Sequence, residues 1–91
     1  MAIASLSETP GGTREQYDQV IRELGLSGSQ LAPGQLVHFA GPTANGWQVV
    51  NVWESQEAAD SWMNEKVAPA RQKAGLAEPV NTVFPVHRLA K

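Results

Sequence analysis

The sequence has 91 residues, 42% hydrophobic and 18% charged, which suits one globular domain over 1–91 and excludes a disordered chain. Its formal charge is −2 and its basic residues are scattered from Arg14 to Lys91, so no nucleic-acid partner is expected. Without cysteine there are no disulfides, thiolate metal sites or cysteine nucleophiles; no apolar run reaches the roughly 18 residues of a membrane span, no signal peptide is evident, and a cytoplasmic protein is expected.

Residues 2–7 suit a strand, which Thr9-Pro10-Gly11-Gly12 interrupts. Thr13-Arg14-Glu15-Gln16 has the spacing of a capping box, and Tyr17, Val20, Ile21 and Leu24 follow on one helical face, with Gly25 placed to end the helix. Residues 26–34 are rich in Gly, Ser and Pro and read as a loop. A strand over 35–41 and a second over 47–53 flank Pro42-Thr43-Ala44-Asn45-Gly46, where Asn-Gly predicts a hairpin turn with positive φ. Ser55 is placed to cap a second helix carrying Ala58, Ala59, Trp62, Met63 and Val67 on one side. Pro69 interrupts that helix or begins a new one, which Gly75 ends. A last strand is expected over 80–89, at an edge because of Pro85.

The order β-α-β-β-α-β, with right-handed crossovers, gives an α+β ferredoxin-like fold: a four-stranded antiparallel sheet with both helices on one face. Alternation along the middle strands puts Val37, Phe39, Val50 and Val52 on one face. Leu36, His38, Ala40, Trp47, Val49, Asn51 and Trp53 fall on the other. The wholly apolar set suits the helix side, which leaves two tryptophans, His38 and Asn51 on a face that no helix reaches. An exposed face of that kind predicts a homodimer whose sheets meet and enclose a cavity between protomers.

At Trp53-Glu54-Ser55-Gln56-Glu57-Ala58, with His38 upstream and Gly41-Pro42 at the hairpin, the chain resembles the dimeric α+β barrel superfamily, in its antibiotic-biosynthesis-monooxygenase-like branch. Gly11-Gly12-Thr13, Gln16-Tyr17-Asp18, His38 to Pro42 and Phe84-Pro85-Val86-His87 look like a group of small actinobacterial members. The resemblance implies a barrel formed by two sheets and a small aromatic or polyketide-like ligand. Oxygenases of polyketide quinol precursors in this superfamily use Asn and Trp in their pockets, residue types that Asn51 and Trp53 supply. Haem-degrading members take an axial His from the second helix; residues 55–75 contain none, and haem is not expected.

His38, mid-strand among apolar neighbours, is the candidate general base, its plainer reading being a satisfied interior histidine. Asn51 is the candidate partner for a developing oxyanion, or else it satisfies a bulge or a second chain. Trp47, Trp53, Trp62 and Leu36 are candidate substrate-binding residues, with core packing the competing role. Tyr17 reads as core and His87 as a surface or edge residue. Neither a metal nor a cofactor is expected. The expected activity is cofactor-independent monooxygenation of an aromatic compound; the alternatives are a polyketide cyclase or dehydratase using the same pocket, and a non-catalytic ligand-binding dimer.

Overall fold

A computed structural model describes all residues, 1–91. The elements are β1 (Ile3–Pro10), α1 (Arg14–Glu23), β2 (Gln35–Thr43), β3 (Gly46–Trp53), α2 (Gln56–Trp62), α3 (Ala68–Ala74) and β4 (Val80–Pro85). The strands form one antiparallel sheet in the order β2-β3-β1-β4, the expected ferredoxin-like topology. No helix is long and apolar enough to cross a membrane.

Local chemistry starts and ends the helices where the sequence indicates. Thr13 Oγ1 accepts from the Gln16 amide at 3.2 Å, and Gln16 Oε1 accepts from the Thr13 amide at 3.1 Å, completing the capping box. Ser55 Oγ accepts from the Ala58 amide at 3.1 Å. Such caps contribute about 1 kcal/mol each. Pro69 has no amide to donate, and the helix widens before it into a π-helical turn over Met63–Val67, in which the Ala68 amide bonds to Met63 O. Gly75 then ends α3 in the left-handed region at φ 71°.

Several local features differ from expectation. β1 continues to Pro10, because its whole length pairs with β3, from Ile3 opposite Trp53 to Pro10 opposite Gly46. β4 stops at Pro85, leaving His87 beyond the sheet and exposed. The hairpin turn contains no residue of positive φ, so Asn45-Gly46 does not act as the expected mirror-image turn. Gly46 is required for another reason: a Cβ there would collide with Thr9 O and lie 2.8 Å from Gly11 N, where β1 and its following turn cross close by.

The assignment of the two sheet faces is reversed. Trp47, Val49, Asn51 and Trp53 face the helices, while Val37, Phe39, Val50 and Val52 lie on the uncovered side. The alternation holds, but apolarity alone does not decide which set meets the helices, since the polar groups of the mixed set find partners inside the chain. Tyr17 of α1 and Gln35 of β2 satisfy the polar groups of the mixed set inside the protomer. A bulge at Leu36 shifts the register between Gln35 and Val37, so Gln35 and His38 share the inner face although three residues apart. Trp53 is fully buried and packs with Ala32 and Ala59, joined by Ala58 and Trp62. Gly34, at φ 78°, admits this packing, since a Cβ would lie 2.7 Å from that of Ala58.

Candidate active site

A cavity of about 120 Å³ lies between the inner sheet face and the helices of a single protomer. It is therefore not the expected chamber between two sheets. His38, Asn51, Trp47, Trp53 and Trp62 all line it; Leu36, displaced at the bulge, and His87 do not. Gly28 and Gln30, both exposed, complete its wall, so it opens at the loop between α1 and β2.

Four side chains form a continuous hydrogen-bonded path. Tyr17 Oη is 2.5 Å from His38 Nε2, His38 Nδ1 is 2.6 Å from Asn51 Oδ1, and Gln35 Nε2 is 2.7 Å from the same oxygen. Gln35 Oε1 accepts from the Ala32 amide at 2.9 Å. That last bond orients all the others. A backbone N–H can only donate, so the Gln35 group facing it is the oxygen, and the amino group faces Asn51. Asn51 must then present Oδ1, whose two lone pairs accept from Gln35 and from His38 Nδ1–H. The proton of neutral His38 is thereby fixed on Nδ1, and Nε2 is an acceptor that receives the Tyr17 hydroxyl.

Tyr17 is the residue that sequence reasoning put in the core. Its ring does pack there, 5.4 Å from Trp47, and lies nearly in line with that of His38, the ring centres 6.0 Å apart and the planes 7° from parallel. A tyrosine on an apolar helix face still needs a partner for its hydroxyl, and that need is the signal that pointed past core packing. Burial first, and the nearby Asp18 carboxylate second, raise the Tyr17 pKa above its ordinary 10.0, so the phenol stays neutral. Between the ordinary value and the raised one, the folded state holds a proton that the unfolded chain has released, so stability falls as pH rises through that interval. The chain has one tyrosine, so ultraviolet titration reads the group directly: its midpoint is expected above 10.0, and Tyr17→Phe should flatten this part of the alkaline stability loss in urea unfolding.

The structure is thus a ferredoxin-like α+β protein with an aromatic cavity inside the chain and an oriented hydrogen-bonded path in its wall. Solved structures share this fold. A dimeric ferredoxin-like protein from Thermobifida fusca YX matches with a TM-score of 0.62 at 18% identity, covering 94% of this chain and 92% of that one. SnoaB, a cofactor-independent oxygenase from Streptomyces nogalater, matches at 0.65 and 14%, covering 97% and 94%. The ActVA-Orf6 monooxygenase of Streptomyces coelicolor, solved with nanaomycin D, matches at 0.56 and 20%, covering 99% and 90%. The fold is that of antibiotic-biosynthesis-monooxygenase-like proteins, dimeric ones among them. Neither a family model nor a curated protein matches the sequence.

Proposed function

We propose that this protein is a cofactor-independent monooxygenase of a phenolic, polyketide-like aromatic. The observation that carries the reading is the fixed proton path, with an accepting His38 Nε2 behind the Tyr17 hydroxyl in a cavity walled by tryptophans. At about 120 Å³ the cavity is somewhat smaller than the roughly 150 Å³ that takes benzene, but it is open at the loop between α1 and β2, so a ring would be held in part with the remainder of the ligand at the mouth. The fold shared with SnoaB and the ActVA-Orf6 monooxygenase supports the same class. The indole N–H groups of Trp47 and Trp53 are buried without acceptors, a cost of about 1–3 kcal/mol each, so a ligand oxygen reaching either would be favoured.

In this reading the substrate phenol gives its proton to Tyr17 Oη as Tyr17 passes its own to His38 Nε2. Asn51 Oδ1 holds the imidazolium through Nδ1–H. The electron-rich carbon para to the phenolate reduces O₂ by one electron and combines with it. The resulting peroxide anion takes the proton back from the imidazolium through Tyr17, and the hydroperoxide loses water with the hydrogen of the same carbon to leave a quinone, one oxygen atom ending in product and one in water. With 1,5-dihydroxynaphthalene and isotopically labelled dioxygen, the expected product is juglone carrying one labelled atom. His38→Ala should lower the rate about 10²–10⁴-fold. No turnover, or equal turnover in His38→Ala, would overturn the reading. The path moves protons with or without O₂, so the second reading is a cyclase or dehydratase, favoured by turnover of a polyketide phenol that persists under nitrogen.

The reading includes a homodimer formed through the uncovered sheet face. Two cross-strand rows run over it: Phe39, Val50, Leu6 and Thr82, then Val37, Val52, Ala4 and Phe84. Val52 and Ala4 at its centre are buried already, but Phe39 is 59% exposed and Phe84 47%, apolar surface of the kind that a second sheet covers. Gln48 and Glu8, side by side in the next row, bound it.

A further inference from the structure

We propose that Arg71 makes the cavity selective for aromatic acids, taking a carboxylate carried by the ligand. This rests on the cavity being an aromatic binding site and names the class of molecule it prefers. Of the 20 residues lining the cavity, Arg71 is the one with a permanent charge, and no Asp or Glu is among them. A ligand entering an apolar chamber with a lone cation in its wall is favoured when it brings an anion, because the low dielectric strengthens their attraction.

The guanidinium is anchored and incompletely used. Arg71 Nη2 donates to Thr9 Oγ1 and to Ala77 O, each at 2.8 Å, which ties α3 and the following loop to β1. Nε and Nη1 have no protein acceptor. No carboxylate pairs with the group; the ion pair present joins Lys73 to Glu23 elsewhere, at 3.4 Å. Burial lowers the Arg71 pKa, and Glu78 partly opposes that by favouring the charged form. A half-buried arginine fixed along one edge, with its remaining N–H groups open, has the planar fork that receives a carboxylate. Fixing it in advance also lowers the entropy lost on binding. The simpler role, a bolt between α3 and β1, uses Nη2 alone.

The test is calorimetric titration of the protein, under nitrogen, with 2-naphthol, 6-hydroxy-2-naphthoate and 6-hydroxy-2-naphthamide. These probes share one bicyclic phenol and differ in a single substituent. The wild-type protein is expected to bind the acid roughly tenfold or more tighter than the isosteric amide, the scale of one charge-assisted bond. In Arg71→Gln that ratio should fall to about one, while the 2-naphthol affinity changes little. Arg71→Lys should retain part of the ratio. A wild-type protein that binds 2-naphthol without preferring acid to amide overturns the inference alone. An equal loss of all three ligands in Arg71→Gln overturns it too, by showing a bolt and nothing more. A wild-type protein that binds none of them overturns both the aromatic-site reading and this one. The acid-to-amide ratio is read on the unaltered protein, so the proposal stays open to refutation if Arg71→Gln fails to fold.

Discussion

Gln35→Glu is expected to abolish the acceptor on His38 while leaving the fold in place. The introduced carboxylate still accepts from the Ala32 amide through one oxygen, but its other oxygen cannot donate to Asn51 as Gln35 Nε2 does at 2.7 Å. Two lone pairs would then face each other. Asn51 relieves this by turning its amino group toward that carboxylate and His38, which makes His38 Nδ1 an acceptor and moves the ring proton to Nε2. Alternatively the carboxylate, whose position corresponds to an amide nitrogen 3.5 Å from Nδ1, holds the ring doubly protonated. In both cases Nε2 carries hydrogen and no longer receives the Tyr17 hydroxyl. Nitrogen NMR distinguishes a protonated ring nitrogen from a bare one. The chain has two histidines, and exposed His87 serves as the internal reference. Turnover should fall by about 10²–10⁴-fold, as for loss of a general base. Retention of a bare Nε2 on His38 in this variant would refute the orientation derived for the whole path.

Phe39→Asp is expected to convert the dimer to a 9.8 kDa monomer. Phe39 is 59% exposed on the uncovered face and sits beside Val50, so a carboxylate there would be stranded between two apolar sheets. Burying an unpaired charge costs several kcal/mol per protomer, more than an interface of ordinary affinity withstands. The aspartate is already in water in the isolated chain, so the protomer should unfold at nearly its original urea concentration if it is stable alone. Light scattering after size exclusion reads the outcome. A monomeric wild-type protein, or a Phe39→Asp dimer, would remove the dimer from the functional reading.

The elements were legible because their signals are local. Thr13 and Gln16 cap α1 through side chains three residues apart, and Pro69 disrupts its own helical turn. The site was legible in its residue types: His38, Asn51 and the three tryptophans do line one cavity. Its location was not, because alternation divides a strand into two sets without stating which set meets the helices. That choice depends on Tyr17 and Gln35, two residues on other elements or beyond the bulge that give His38 and Asn51 their partners. Gln35 itself was hidden by the bulge at Leu36, since regular alternation puts residues 35 and 38 on opposite faces. Gly46 shows the same limit: the sequence predicts a turn residue of positive φ, whereas Gly46 opens β3 and the constraint on it comes from Thr9, 37 positions away in the chain.

Since the cavity and the apolar sheet face lie on opposite sides of the sheet, each chain carries a whole site of its own. Association and chemistry are then separable properties. Ligand should saturate at one molecule per chain along a simple hyperbola, and mixed dimers of wild-type and His38→Ala chains should retain half the turnover of the wild type. The Phe39→Asp protomer should still bind its ligand, and substitutions that tune the substrate can change without disturbing those that hold two chains together.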